Sequence, residues 1–414
     1  MTETSRTTSP PEVRSFRHFR VLWLGQLFSS IGSPFQTIAV SLWILETGRG
    51  ASALAAVLAV GTISQLIGTL FSGPLVDRLG ALSIILHCDA LRCALAGLLA
   101  VALLLESDTV AVIGLVSASS AVGGVFLPAL RSAPGVLLSE EDRPRGNSLM
   151  EVSNSTSMLV GALAGGMTVA FVGPVPAVGF NAAGFAVGAL CAALMKHRSA
   201  FGGTTTSTDG MAGLVREGLA FVRRTGWLRT LLLIDATLDL VTAGQLSVGL
   251  PAISRQLTGA SSLGLMIAGF GAGSLMGALL ASRLPRIPFL PLRRIHPLRR
   301  VYLLQLLAAP FLGVLPLSTL PVATVCLVVA GVLNAIASVH YVSIIQRNVD
   351  SAVLGRVMAL LVAAGLSVQP LGQILCGVLI EGGWLRESFA AGALVMVLVC
   401  ALGLTRRNLR ELAH

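Results

Sequence analysis

Apolar residues fill this chain in long runs separated by short polar breaks. The runs lie near residues 19–44, 51–76, 81–105, 109–136, 147–172, 174–195, 227–254, 261–284, 300–317, 319–346, 354–380 and 385–405. About 20 predominantly apolar residues cross a bilayer as a helix, so the pattern predicts twelve transmembrane spans. Backbone N–H and C=O groups must be paired inside lipid, and helices pair them within each run. The longest polar break, His197 to Arg224, divides the spans into two sets of six. This predicts an arm at 1–18, a six-helix bundle at 19–195, a linker at 196–226, a second bundle at 227–405 and a tail at 406–414. Within the linker, Gly202 to Ser207 reads as flexible chain. Beyond it, Leu214, Val215, Leu219 and Val222 recur at helical spacing opposite Arg216, Arg223 and Arg224, as in a helix lying on a membrane surface.

Composition agrees, with 54% hydrophobic and only 12% charged residues, where a soluble chain averages about 25% charged. A net charge of +10 could point to nucleic acid, but the placement of the charges excludes that partner. Arg6, Arg14, Arg17 and Arg20 precede span 1; Lys196, Arg198, Arg216, Arg223, Arg224 and Arg229 surround the central linker; Arg406, Arg407 and Arg410 end the chain. The loops after spans 2, 4, 8 and 10 are basic too, whereas the opposite side holds only Arg49, Arg255 and Arg386. This bias predicts a multi-pass protein of the cell membrane with both termini in the cytoplasm. The first 18 residues are polar and span 1 lacks a small-residue cleavage site, so no removed signal peptide is expected. Six cysteines lie in or beside apolar runs without metal-ligand spacing and read as small packing residues.

The break after span 2 reads Gly73-Pro-Leu-Val-Asp77-Arg78-Leu-Gly80. Gly73 and Gly80 suit a tight turn between close helices, and the Asp-Arg pair can bond neighbouring helix ends. The stretch resembles the loop between spans 2 and 3 of major facilitator superfamily transporters, G-x-L-x-D-R-x-G, although Ala81 and Leu82 stand where basic residues usually follow. Gly161-Ala-Leu-Ala-Gly165-Gly166 is similar to the antiporter pattern G-P-x-x-G-G, with Ala162 in place of the proline. Phe19-Arg20-x-Leu22-Trp23-x-Gly25-Gln26 and Gly355-Arg356-Val357 with Pro370 and Gly372 resemble the twelve-span drug:proton antiporter branch, which includes macrolide and enterobactin exporters. The resemblance implies an all-α integral membrane fold of two six-helix pseudo-repeat bundles. A faint internal repeat agrees: Gly73 to Arg78 corresponds to Gly277 to Ser282.

An ionisable residue near the bilayer centre costs about 2.5–3.5 kcal/mol to insert and marks a functional site. Span 7 carries Asp235 and Asp239. At about 1.5 Å per residue from Trp227 they lie roughly 12 and 18 Å into a core about 30 Å thick, one turn apart on one face. Two such carboxylates cannot both ionise cheaply, which suits proton coupling; the alternative is a bond from either acid to a neighbouring helix. The resemblance implies that span 7 lines the central cavity and that span 3 lies outside it. Asp89 and Arg92 on span 3 are accordingly read as a buried charge pair. Asp77 and Arg78, with Gly73 and Gly80, are read as a gate, Asp77 accepting N–H groups at the start of span 11 near Gly355. Gln26, Ser30, Gln36, Thr37 and Asn334 are candidate cavity lining, while Gln65 and Gln369 are read as helix-to-helix ties. Gly269, Gly273 and Gly277 form a small-residue stripe for close packing.

Lys196 is the only lysine and follows Met195, so no G-K-[ST] phosphate loop exists in this sequence. No enzyme motif or cofactor is expected, and an ion gradient is the natural energy source. These readings converge on a monomeric secondary transporter, a proton-coupled exporter of amphipathic small molecules such as drugs, macrolide-like or siderophore-like compounds. A proton-linked nutrient importer and a non-transporting membrane receptor remain the alternatives.

Overall fold

A computed structural model describes residues 16–139, 141–198, 222–283, 297–349 and 351–405. Twelve spanning helices occupy them: α1 (Phe16–Glu46), α2 (Gly50–Leu79), α3 (Ala81–Leu104), α4 (Thr109–Leu137), α5 (Arg143–Val172), α6 (Pro174–Arg198), α7 (Gly226–Gln256), α8 (Ala260–Arg283), α9 (Pro297–Gly313), α10 (Leu320–Asn348), α11 (Ser351–Glu381) and α12 (Leu385–Thr405). The N-terminal arm through residue 15, residues 199–221 of the linker and the tail from 406 lie outside the described residues, and with them most of the expected surface helix.

Eleven helices are long and apolar enough to cross a membrane; in α5 the apolar part is confined to Thr156–Val172. The sequence reading carried that span back to residue 147. Its first half is helical but polar, and Ser153, Asn154 and Ser157 line a cavity instead of facing lipid. Span 9 reaches Leu317 as expected, but its α-helix stops at Gly313 and a 3-10 turn, Leu315–Leu317, completes the crossing. Inside α7 the turn Gln245–Gly249 is a π-helix. Phe28, Phe71, Leu104 and Phe171 are exposed on the outside, an apolar belt that lipid covers and water would not tolerate.

Helix neighbours repeat across the two halves. In the first half α1 packs on α5 and α6, α2 on α4, and α3 on α4 and α6; six helices later α7 packs on α11 and α12, α8 on α10, and α9 on α10 and α12. Glycines draw the pairs together. A Cβ on Gly68 would strike the Ala121 carbonyl across α2–α4, and one on Gly273 would strike the Val328 carbonyl across α8–α10. The expected stripe of Gly269, Gly273 and Gly277 thus packs on α10. Two further contacts, α2 with α11 and α5 with α8, join the halves and exchange under the same six-helix shift. Pseudo-two-fold symmetry about an axis along the membrane normal has this signature.

The contacts between halves concentrate away from the side where α1 begins and α12 ends. There a Cβ on Gly264 of α8 would stand 2.6 Å from the Ala162 carbonyl oxygen and 2.8 Å from Gly166 Cα of α5. The Ser52 N–H, in the first turn of α2, donates to Glu381 Oε2 at the end of α11 at 3.0 Å. Nearer mid-membrane, Thr62 Oγ1 and Gln373 Nε2 lie 3.4 Å apart across the same helix pair. The cavities described below lie from mid-membrane toward the opposite side, which carries the chain ends.

Candidate functional site

The second half holds a cavity of about 380 Å³ walled by α7, α9, α10 and α11. Asp235 and Asp239 both line it, one turn apart on α7. Gly365 of α11 faces Asp239 so closely that a Cβ there would land on Oδ2, and the carboxylate would have to move to make room. The Tyr341 hydroxyl lies against Asp235 without closing hydrogen-bond geometry. On the opposite wall Gln305 Nε2 donates to Asn334 Oδ1 at 3.1 Å, tying α9 to α10. Leu231, Val301, Met358 and Leu361 supply apolar lining, and no basic side chain is among the described lining residues. A carboxylate pair in a largely apolar cavity, with no counter-ion among the described lining residues, is chemically equipped to take a proton or a cationic group.

The first half holds a larger cavity of about 750 Å³ walled by α1 to α5. Its lining carries the opposite charge: Arg92 and Arg131, with no acid among the described lining residues. Gln26 and Ser30 are among the residues that line it. Gln26 Nε2 also donates to Asp89 Oδ2 at 2.8 Å, and Asp89 is fully buried behind it. The expected charge pair is not closed: among the described residues no ion pair joins Asp89 to Arg92, Asp89 Oδ1 and Arg92 Nε having no hydrogen-bond partner. Instead the Arg92 guanidinium stacks 4.1 Å from the Phe185 ring centre and 5.3 Å from that of Phe126. Helix α3 is peripheral, packing on α4 and α6, but Arg92 is long enough to reach the cavity wall from there.

Other expected lining residues divide. Asn334 lines the second cavity, together with Gln369; Gln65 lines the first. Gln65 and Gln369 therefore correct the reading that made them helix ties. Gln36 does act as a tie, accepting a 2.6 Å hydrogen bond from Asn181 Nδ2 of α6. Thr37 donates to the Ser33 carbonyl of its own helix. Neither Gln36 nor Thr37 is among the residues lining the two cavities.

At the end of α2, Gly80 has φ +76° and makes the turn into α3, its N–H bonding to the Val76 carbonyl at 2.9 Å. Gly73 lies within α2 and not in the turn, and Arg78 is exposed in the last turn. The Asp77 side chain and those at the start of α11 lie outside the described residues, so the expected latch between them does too.

A sequence model of the Major Facilitator Superfamily matches residues 22–372. The chain belongs to the Major Facilitator Superfamily. Among its relatives in the superfamily, the "Multidrug efflux pump Tap" of Mycobacterium tuberculosis (strain ATCC 25618 / H37Rv) is 29% identical over 399 residues, covering 93% of this chain and 92% of that protein. The pump of the same description from Mycolicibacterium fortuitum is 28% identical over 388 residues, covering 91% and 92%. In fold, the chain is similar to a bacterial homolog of the human lysosomal transporter Spinster, with TM-score 0.73, 14% identity and 98% of each chain covered. The facilitator fold thus accounts for the mirrored helix neighbours, and the protein is a multi-pass membrane transporter.

Three site features of this facilitator were missed in its sequence. Tyr341 follows Asn334 and Ser338 at i, i+4 and i+7, one helical stripe that could have marked it as lining. Gly365 is one of four glycines in α11, and only its neighbour Asp239 marks it as part of the site. Gln245, in the π-turn of α7, donates to the Phe389 carbonyl at 3.2 Å, and the π-turn itself leaves no local signature in sequence.

Proposed function

We propose that this chain is a proton-coupled exporter of amphipathic small molecules working by alternating access. The observation that carries the proposal is the carboxylate pair Asp235 and Asp239, placed in a mid-membrane cavity with no basic residue in its described lining. The Tap relatives, described as multidrug efflux pumps, support the outward direction and a broad range of cargo. The basic loops assign the side bearing the chain ends to the cytoplasm, so the described arrangement is the inward-open one.

In this cycle Asp239, sharing with Asp235, takes a proton from outside when the cavity faces outward. The halves then rock about the α2–α11 and α5–α8 contacts, and the seam at Gly166 and Gly264 closes. Cargo entering from the cytoplasm or inner leaflet displaces the proton inward, and the loaded carrier turns out again. Asp77 at the cytoplasmic end of α2 closes the opposite gate against the N-terminus of α11. Apolar lining around a few polar groups selects lipophilic cargo with a polar end.

The test is Asp239→Asn in inverted membrane vesicles energised by a proton gradient. Cargo accumulation should fall to the level of vesicles without the protein, with the variant still present in the membrane. Undiminished accumulation would remove Asp239 from the coupling step.

A further inference from the structure

The first-half cavity is not explained by proton coupling. Its charge is positive, and its key cation is free to bind. Arg92 lies over an aromatic ring, Phe185, whose centre is 4.1 Å from the guanidinium carbon, and a Cβ added to Gly123 of α4 would stand 4.0 Å from the same group. A ring supplies no oxygen acceptor, and the buried Arg92 Nε has no hydrogen-bond partner among the described residues. Asp89 offsets the buried charge through space without touching the guanidinium N–H groups, because Gln26 holds its Oδ2 and Gly188 makes room for that oxygen. A second donor is also unused: the buried Ser157 Oγ of α5, which lines the same cavity, has no hydrogen-bond partner among the described residues.

We propose that this cavity is an oxyanion subsite for cargo, in which Arg92 and Ser157 receive the carboxylate of an amphipathic molecule. The inference rests on the transporter reading above and narrows its cargo to molecules bearing an acidic group, zwitterions included. A planar, delocalised cation with a free edge matches a carboxylate in two-pronged fashion. The unpartnered hydroxyl supplies a further donor. Phe126, Leu127, Leu130 and Met150 supply the apolar wall for the rest of the molecule.

The experiment is equilibrium binding to the purified full chain in phosphatidylcholine nanodiscs, read by fluorescence anisotropy, with no proton gradient present. The probes are rhodamine 110, which has a free carboxyl group, and rhodamine 123, its methyl ester. Wild type should bind the acid more tightly by about ten-fold or more, the range of a charge-assisted hydrogen bond. Arg92→Gln should bring the two probes to equal affinity, and Arg92→Lys should restore part of the preference. Ser157→Ala should lower the acid's affinity several-fold and leave the ester unchanged, which keeps the test decisive if Arg92→Gln does not fold. Equal affinities in wild type, or a preference that survives both Arg92→Gln and Ser157→Ala, would overturn the proposal. A preference abolished by adding phosphatidylglycerol to the nanodisc would also overturn it, by giving the site to a lipid headgroup. The binding ratio is measured without a gradient, so its failure is separate from a failure of proton coupling at Asp239.

Discussion

Gly264 offers a perturbation that acts on one conformation of the transporter and not on its fold. Its missing side chain lets α8 touch α5: a Cβ would meet the Ala162 carbonyl oxygen at 2.6 Å and Gly166 Cα at 2.8 Å. Both are backbone atoms and cannot rotate away. Ordinary carbon contacts lie at about 3.5–4.0 Å, so Gly264→Ala forces the two helices apart by several tenths of an ångström or more. Overpacking of that kind costs about 1–3 kcal/mol, and it is paid only while this seam is closed. The helix-propensity gain of Ala over Gly, about 1 kcal/mol, is common to both conformations and cancels. The ratio of outward-open to inward-open molecules should therefore rise about 5- to 150-fold. Spin labels at Thr47 and Arg255, at the same end of the molecule in opposite halves, report this as growth of the longer distance in pulsed dipolar spectroscopy. Gly273→Ala is the control: its Cβ would strike the Val328 carbonyl inside the second half, so it should lower the melting temperature and leave the distance ratio alone. An unchanged ratio in Gly264→Ala, or an equal change in Gly273→Ala, would refute the assignment of this seam to one conformation.

Two further predictions concern the ends of the mechanism. Gly365→Ala places a methyl group on Asp239 Oδ2 and should cut proton-driven transport at least ten-fold while protein level in the membrane stays near normal; normal transport would show that the carboxylate need not occupy that place. Glu381→Gln removes the anion that caps the first turn of α2 and should move the same spin-label distance toward the outward-open form. An unchanged distance in Glu381→Gln would show that this contact does not hold the seam closed.

Much of the architecture was legible because lipid imposes one rule, that a spanning backbone must pair with itself, and long apolar runs announce where it applies. Asp235 and Asp239 were legible for the same reason: charge inside such a run is too costly to be incidental. Uncharged polar residues carry no such signal. Gln36 ties two helices and Gln65 faces a cavity, yet both are glutamines in apolar runs, and only the neighbours across the interface separate them. Arg92 shows a different limit. Its helix is peripheral, but side-chain reach, Phe185 beneath it and Gly123 beside it carry the charge to the cavity wall. Which contacts belong to one conformation is likewise a property of helix pairs: Gly264 and Gly273 look alike in sequence and differ only in whether the partner helix belongs to the other half.

The central claim is that Asp239 exchanges a proton for cargo, and the direct measurement is proton release in reconstituted liposomes under a pH-sensitive dye. Adding a transported dye to wild-type protein should release protons in step with cargo binding, and the Asp239→Asn variant should bind the cargo and release none. Equal proton release from the variant, or cargo transport by wild type with no proton movement at all, would contradict the account.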